Sequence, residues 1–420
     1  MSTIRYAGRL AAAALLTAAA LSAQTASAAG FQLTEQSSLG AGRAYAGAGI
    51  VGDDLSAVHY NPAGMTLLPG TQMQAGSVWI EVNAEYDGDH GASENGRYKG
   101  QAIPAGYITH QLTDDVWLGL GLTVPFGMGT DYDKGWEGTE RGYTSTILTF
   151  DINPNVAWKV NDSLSVGGGI SLQYAKAKLG MANLMRGHEL GSGKIDADSW
   201  DWGWNFGVLV SPTEKLRFGL SYRSAIEHNA EGDFTYSATQ LGSDVAHLPS
   251  GTFNGKATVK TPDTVMFTST WEATNNLRLS TLIRWSKWSN FKTLTISTSA
   301  NHPKLSTIEV NNDWEDTWLF SVGADYKLND AWTVRGGVAY EKDPVGDNSK
   351  RMAVIPDTDR LWLSLGATWN ASKNIQIDGG FSYLKGIGNR DLYDKVGGEK
   401  IGKYKSLDAV ILGIQGQYRF

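Results

Sequence analysis

The 420-residue sequence contains no cysteine, no apolar run long enough for a membrane-spanning helix and no basic tract. Without cysteine there are no disulfides, so stability must come from backbone hydrogen bonds and packing. A spanning helix needs about 20 apolar residues, so we expect the mature chain to lack a helical anchor. The formal net charge is −7 and the charges are scattered, which argues against a nucleic-acid partner.

Nucleotide and metal chemistry are also poorly supported. The stretch GAGIVG at 47–52 fits the G-x-G-x-x-G pattern, but no strand pattern precedes it and no helical pattern follows it. The seven histidines are dispersed without the spacing of a metal site, and His59 is expected to make a structural hydrogen bond. We therefore expect no cofactor, no metal and no catalytic residue.

The first 28 residues have the pattern of a secretory signal peptide. Arg5 and Arg9 precede an apolar run at 10–21, and Ala-Ser-Ala at 26–28 supplies the small residues that a signal peptidase reads. We expect cleavage before Ala29 and export of the mature chain.

From about Thr71 onward, amphipathic stretches alternate with polar turns and loops. About six short turns rich in Asn, Asp, Pro and Ser alternate with about seven longer polar segments, among them 180–198, 231–253 and 293–312. This alternation predicts about fourteen strands, and an even count places both ends of the sheet on the short-turn side.

The two faces of the predicted strands differ in polarity. Trp318, Phe320 and Val322 share one face, opposite Ser321 and Asp325. A soluble β-sandwich also alternates, but its strands average about five or six residues, roughly half the length indicated here. The pattern favours a transmembrane antiparallel β-barrel with aromatic residues near both ends of a lipid-facing band.

Such a barrel must close on itself, because open sheet edges cannot face hydrocarbon. The last stretch, residues 409–420, alternates as a strand up to the final residue. We expect it to pair with the first strand, about residues 71–86, and to place Phe420 in an aromatic girdle. Residues 71–420 are therefore assigned to an all-β transmembrane barrel of about fourteen strands.

Residues 29–70 do not alternate and are rich in Gly, Ala and Ser. A barrel of about fourteen strands encloses a lumen wider than side chains can fill, so it would form an open channel without a plug. A segment of small residues can pack closely against the inner wall. We predict that residues 29–70 form an N-terminal hatch inside the barrel.

Several stretches resemble one known family. The stretch AGFQLTEQSSLGAGRAYAGAG at 29–49, Asp53-Asp54 and the element NPAG at 61–64 are similar to the hatch of the FadL/TodX family. Members of that family are outer-membrane transporters of long-chain fatty acids and other hydrophobic compounds. IPDTDRLWLS at 355–364 and GLTVPFG at 121–127 resemble the same family, so the resemblance covers effectively the whole mature chain.

The resemblance implies a hatch-plugged barrel that captures a hydrophobic ligand, passes it to an interior pocket and releases it sideways where the third strand is kinked. Here the third strand is about residues 116–132, and Pro125, Phe126 and Gly127 interrupt it. Proline cannot donate to a ladder and glycine weakens pairing, so these residues are the expected lateral gate. An ordinary bulge near the barrel rim is the alternative.

The resemblance also assigns roles in the hatch and at the terminus. Phe31 matches a hatch-tip aromatic that reaches into the ligand pocket, although plug packing alone would also favour an aromatic. Asn61, Pro62 and Ala63 match an element near the lateral gap. Phe420 resembles the terminal signal that the barrel-assembly machinery of Gram-negative outer membranes reads.

The positions that align with the family's basic pocket residues carry Met181 and Val310. Lys176 and Lys178 are near, but the phase of their strand places both on the outer face. Arg186 and Lys304 in the adjoining loops are the expected ligand-binding cations, and solvated loop charges are the alternative.

The expected function is passive uptake of long-chain fatty acids with lateral release into the bilayer. Because Met181 and Val310 stand where the family has basic pocket residues, uptake of aromatic or other neutral hydrophobic compounds is the alternative. An outer-membrane lipid hydrolase would need an outward-facing Ser and His with an orienting partner, and no such set is apparent. The expected partners are the ligand, outer-membrane lipid and lipopolysaccharide, and the barrel-assembly machinery; we expect a monomer.

Overall fold

The computed structural model describes residues 30–89, 93–95, 100–185, 188–395 and 398–420. The predicted signal peptide and Arg186 lie outside these residues. No helix in the described ranges combines the length and the apolar character required to cross a membrane.

Fourteen antiparallel strands form a closed barrel, as the sequence predicts, and several of them are interrupted once. Two short strands, Ser93–Asn95 and Asp391–Tyr393, extend the loops. The barrel strands are β1 Thr71–Gly88, β2 Gln101–Gln111, β3 Val116–Thr123 and Gly127–Asp131, β4 Thr144–Asn161, β5 Leu164–Met185, β6 His188–Thr213, β7 Leu216–Arg223 and Glu227–Ala238, β8 Gly251–Lys260 and Thr264–Glu272, β9 Leu277–Ser286 and Thr293–Thr298, β10 Thr307–Asn311 and Thr317–Lys327, β11 Trp332–Glu341, β12 Arg360–Asn370, β13 Ile375–Gly386 and β14 Lys400–Arg419.

The last strand closes the barrel against the first. β14 pairs with β1 from Gln72↔Arg419 to Gly88↔Gly402, and the Phe420 N–H donates to the Thr71 carbonyl at 3.0 Å. The chain therefore stays hydrogen-bonded up to its final residue, and the predicted pairing of these two strands is confirmed.

The predicted faces of the strands are confirmed. Trp318, Phe320 and Val322 are 43–53% exposed on the outer surface, whereas Ser321 and Asp325 are buried in the lumen. Apolar side chains thus cover the outer wall, while polar side chains face the interior, which is the distribution expected for a barrel in lipid.

The strands are longer than predicted. Residues 180–198, expected to form a loop, are mostly the paired ends of β5 and β6, and residues 231–253 include parts of β7 and β8. Outside the hydrocarbon both faces of a strand contact polar surroundings, so the apolar alternation disappears although the backbone ladder continues. Polarity therefore does not mark where these strands end.

Residues 30–70 lie inside the barrel and are almost entirely buried. Their helical elements are short: α1 Ser38–Ala41, α2 Ala57–Tyr60 and a 3₁₀ turn Pro62–Leu67. The other helical elements are α3 Gln240–Ala246, α4 Pro303–Ser306 and the 3₁₀ turns Thr139–Arg141, Trp288–Asn290 and Asn348–Lys350.

A belt of inward-facing glycines lets this N-terminal segment approach the wall. A Cβ built on Gly380 would lie 2.1 Å from the Ser38 carbonyl oxygen, and one built on Gly413 would lie 2.8 Å from the Ser38 Cβ. Backbone and wall are therefore closer than any side chain would allow. The glycine belt comprises Gly119, Gly167, Gly207, Gly219, Gly323, Gly337, Gly366, Gly380 and Gly413.

A buried ion-pair cluster joins the same segment to the wall, because Arg43 pairs with Asp325 of β10, which also pairs with Arg335 of β11. Arg43 contacts Asp53 at 2.6 Å and Asp325 at 3.3 Å, and Arg335 contacts Asp325 at 2.9 Å. The Arg43, Arg335 and Asp325 side chains are at most 5% exposed. Because removing one partner of a buried pair costs about 3–5 kcal/mol, this cluster resists displacement of the segment.

We predict that Gly380→Val weakens the packing of the N-terminal segment against the barrel wall. The new side chain would overlap α1, and overpacking costs about 1–3 kcal/mol, so thermal unfolding should start at a lower temperature and ion conductance in planar bilayers should rise. Gly416→Val is the matched control, because a Cβ there has no heavy atom within 4 Å. Equal conductance of the two variants would contradict a tightly seated segment.

Candidate functional site

The wall is interrupted where the sequence predicts a break in β3. Strand geometry is lost over residues 124–126, so Gly127 belongs to the strand that resumes, which makes the break shorter than expected. The first part of β3 pairs with both β2 and β4, but within the described residues the second part pairs with β4 alone. In the part of the chain that the structure describes, the ladder between β2 and β3 covers Gly106–Gln111 of β2.

The N-terminal segment satisfies the backbone groups that this break frees. The Leu33 N–H donates to the Pro125 carbonyl at 2.8 Å, and the Gly127 N–H donates to the Phe31 carbonyl at 2.9 Å. The Gln36 side chain donates to the Val124 carbonyl at 2.7 Å. Phe126 stays bonded to Thr149 of β4, but Val124, Pro125 and Gly127 are bonded from inside by residues 31–36, which the sequence did not predict.

Phe31 lies in an aromatic cage. Its ring packs edge-to-face against Trp288, Phe291 and Phe126, with centroids 4.7, 5.5 and 6.0 Å apart, and Trp314 completes the cage at 5.9 Å. All five residues are at most 5% exposed. Such contacts add about 0.5–1.5 kcal/mol each beyond area burial, so the tip of the segment is held firmly.

Interruptions of the wall create this cage. Trp288 and Phe291 lie in the gap between the two parts of β9, and Trp314 lies in the corresponding gap of β10. Within a regular strand, side chains would point alternately inward and outward. The interruptions let three large rings converge in the lumen, and this geometry has no periodic sequence signal.

An apolar cavity adjoins the aromatic cage. We call it the inner cavity; Phe31 and Phe291 form one wall, and β4 to β9 with the segment before β12 contribute the rest. Its apolar side chains include Ile147, Leu179, Ile195, Ala230, Val259, Leu294, Met352 and Ile355. A site of this composition suits a hydrocarbon and offers few hydrogen bonds.

A second space, the outer cleft, continues from the inner cavity and has a volume of about 180 Å³. Leu179 and Ile195 line both spaces. Lys304 and Lys395 lie at the outer cleft, and among the described residues neither ammonium group forms a salt bridge. Desolvation and the charge of Arg141 lower the pKa of Lys395, and the charge of Glu140 partly opposes this shift.

The other sequence-predicted cations are distributed differently. Lys176 is exposed on the outer face, 3.4 Å from Asp196, and Lys178 is partly exposed in the same strand, so neither side chain points into the lumen, as expected. Met181 lines the outer cleft, and Val310 lines a neighbouring cleft that also contains Met181 and Lys395. Lys395 was not predicted from the sequence, because it lies in a loop, where no inward–outward alternation indicates the direction of a side chain.

The element Asn61-Pro62-Ala63 caps the 3₁₀ turn and contacts the wall. The Asn61 side chain accepts from the Ala63 N–H at 3.1 Å and donates to the Val208 carbonyl of β6 at 3.0 Å. Its hydrogen bonds therefore attach it to β6 and not to the break in β3. The neighbouring His59 carbonyl accepts from Arg223 at 3.0 Å, and the His59 Nδ1 lies 3.5 Å from the same guanidinium nitrogen; the structural role expected of the imidazole stays a prediction.

The structure brings together a Ser, a His and an Asp that the sequence analysis did not connect. The His228 Nδ1 lies 3.1 Å from Asp201 Oδ2, and the Ser199 hydroxyl donates to the same oxygen at 2.6 Å. His228 Nε2 lies 3.0 Å from Gln173. A nucleophilic serine needs the imidazole between itself and the carboxylate, so this cluster does not have a hydrolase geometry. No three His, Asp or Glu side chains of the described ranges converge on a metal position.

Comparisons with known proteins agree with this architecture. The family model described as "Outer membrane protein transport protein (OMPP1/FadL/TodX)" matches residues 19–420. A long-chain fatty acid transport protein of Salmonella typhi is 28% identical over 401 residues, covering 89% of this chain and 91% of the relative.

Two solved structures have the same fold. A Pseudomonas aeruginosa FadL homologue superposes with a TM-score of 0.83 at 22% identity, covering 93% of this chain and 99% of the other. The toluene transporter TodX of Pseudomonas putida superposes with a TM-score of 0.71 at 17% identity, covering 87% and 94% of the two chains. At these identities the likeness concerns the fold alone.

Proposed function

The chain belongs to the OMPP1/FadL/TodX family of outer membrane transport proteins, and on this premise we propose that it takes up long-chain fatty acids by capture at the outer cleft and lateral release into the bilayer. The observation that carries the proposal is a connected apolar lining from the outer cleft through the inner cavity to the aromatic cage at the break in β3. Burial of an acyl chain gains about 0.8 kcal/mol per CH₂, so such a route favours a ligand of this class.

Two lysines at the outer cleft support a carboxylate as the polar end of the ligand. Lys304 and Lys395 flank the outer cleft where the apolar lining begins. A carboxylate held there would leave the acyl chain free to enter past Leu179 and Ile195. Lys304 thus keeps its sequence-predicted role as a proposal, and Arg186 lies outside the described residues.

Uptake of aromatic or other neutral hydrophobic compounds is the second candidate. The inner cavity is almost wholly apolar, and its aromatic walls suit a ring as well as a chain. The two candidates differ in one requirement, because only a carboxylate needs the lysines of the outer cleft.

The proposed exit is the break in β3. Residues 31–36 close it from inside, so a small shift of Phe31 would connect the inner cavity to the membrane. Displacing the whole N-terminal segment would instead break the ion pair between Arg43 and Asp325 and leave the glycine belt uncovered. We therefore infer that Pro125, Phe126 and Gly127 form the gate and that residues 29–70 stay in place as a hatch.

Further parts of the proposal concern processing, partners and chemistry. Residues 1–28 act as a signal peptide, and Phe420 is the signal for the barrel-assembly machinery. The outer wall contacts outer-membrane lipid and lipopolysaccharide, and the barrel functions as a monomer. No enzymatic step is proposed, because the Ser199 hydroxyl donates to Asp201 at 2.6 Å and lies 3.5 Å from His228 Nδ1, the same nitrogen that faces that carboxylate, so the imidazole does not stand between the serine and the acid.

We predict that the double change Lys304→Ala and Lys395→Ala weakens fatty-acid binding about tenfold, which corresponds to roughly one charge-assisted hydrogen bond. Equilibrium binding of palmitate to the purified protein measures this effect. Lys256→Ala is the control, because that lysine lies on the outer wall beside Glu231. Binding of hexadecane, which has no carboxylate, should not change. An equal loss for both ligands, or no loss for palmitate, would contradict the carboxylate site.

We predict that Pro125→Val with Gly127→Val closes the gate. The change supplies a backbone donor and strand-forming residues, so β3 can pair with β2 and uptake of labelled palmitate into cells should fall several-fold while equilibrium binding persists. Thr123→Val, on the same strand outside the break, is the control for expression and insertion. Normal uptake by the double variant would show that this gap is not the main exit.

A further inference from the structure

A second interruption of the wall lies between β6 and β7. Ladder pairs end at Asp198↔Glu231 and resume at Asn205↔Arg223. Between these pairs, Trp204 and Ser224 exchange two hydrogen bonds of 2.9 Å. Within the described residues, no ladder pair joins 199–203 to 225–230. We call this stretch the seam.

Side chains hold the seam together in place of the backbone. Asp201 faces His228, with 3.1 Å between Oδ2 and Nδ1, and His228 Nε2 reaches Gln173 of β5 at 3.0 Å. Ile226 packs over Gly203, where a built Cβ would lie 2.7 Å from the Ile226 Cγ1. These contacts continue the register of the Asp198↔Glu231 pair. Across the seam, however, a polar bridge and one apolar contact take the place of backbone hydrogen bonds.

Neighbouring interruptions are held differently. Between β7 and β8, the Thr261 N–H donates to the Ile226 carbonyl at 3.0 Å, and the Ala225 N–H donates to Asp263 at 3.1 Å. Between β8 and β9, the Lys287 N–H donates to the Asp263 carbonyl at 2.8 Å. Backbone groups are bonded across each of these gaps. At the seam, beyond the Trp204–Ser224 pair, side chains make the contacts between 199–203 and 225–230.

The seam separates the inner cavity from the membrane. On the inside, His228, Ala230 and Ile195 line the inner cavity. On the outside, Trp200 and Trp202 of β6 are 53% and 70% exposed. Irregular backbone at membrane depth is tolerated only where it is buried in protein or lines a cavity, and the inner cavity meets that condition.

We propose that the seam is a second lateral portal for a hydrophobic ligand between the inner cavity and the bilayer, closed in this structure by the Asp201–His228–Gln173 bridge. This inference rests on the proposed uptake function. Opening requires only that the polar bridge and the contact between Ile226 and Gly203 separate, because the ladders on both sides hold the strands. The hatch and the break in β3 do not have to move.

A reversible crosslink tests the portal, because the chain has no cysteine of its own. Asp201→Cys with His228→Cys is introduced together with the Pro125→Val and Gly127→Val changes, so that the gate in β3 is closed. Reduced protein lacks the bridge and should take up labelled palmitate about fivefold faster than the gate-closed parent, the shift expected for losing about one net hydrogen bond. Oxidation should lower uptake to or below the parent level, and single-cysteine variants should not respond to reductant.

A second measurement does not depend on the crosslink. Diazirine-bearing palmitate is photoactivated in wild-type protein reconstituted in phospholipid vesicles, and the adducts are mapped by mass spectrometry. Adducts at 199–203 or 225–230, in addition to the aromatic cage, support the portal. Adducts at the cage without any at the seam overturn it, as does equal uptake by the oxidised and reduced double-cysteine protein. If wild-type protein neither binds nor takes up palmitate, the proposed function itself fails and the portal fails with it.

Discussion

In the hydrocarbon core of a bilayer, a strand cannot leave its N–H and C=O groups without partners, and the architecture of this protein follows from that requirement. Fourteen strands satisfy it by closing into a barrel in which β14 pairs with β1 along almost its whole length. Where the wall departs from regular pairing, other groups take over. The break in β3 is bonded to residues 31–36, and the seam between β6 and β7 is bridged by side chains.

The N-terminal segment in the lumen therefore supplies part of the hydrogen bonding of the wall. The N-terminal segment rests on a glycine belt, is fixed by buried ion pairs around Arg43, and supplies the partners for the break in β3. Its tip, Phe31, is clamped by aromatic rings that reach the lumen only because β9 and β10 are interrupted. One short segment thus lies in the lumen, supplies hydrogen-bond partners at the break in β3 and forms part of the cavity wall.

The sequence predicted the parts of this structure that are periodic or carried by a distinctive motif. Alternation gave the strand count, the lipid-facing surface and the closing pair, and the interruption at Pro125 located the break in β3. Contacts between distant residues were not predictable, because no local pattern connects Lys395 to Lys304 or His228 to Asp201. The upper ends of the strands were missed for a different reason: above the membrane their outer face is polar, so the apolar alternation ends before the ladder does.

We propose that a hydrophobic ligand leaves through the wall while the hatch stays in place. Ala41 of α1 and Ser382 of β13 allow this to be measured, because the Ser382 hydroxyl donates to the Ala41 carbonyl at 2.9 Å. A disulfide between Ala41→Cys and Ser382→Cys would lock the hatch to the wall and leave residues 31–36 free. Uptake of labelled palmitate should be the same before and after reduction of that disulfide. Uptake that stops in the oxidised protein and returns on reduction would contradict the account, because the ligand would then need a displaced hatch.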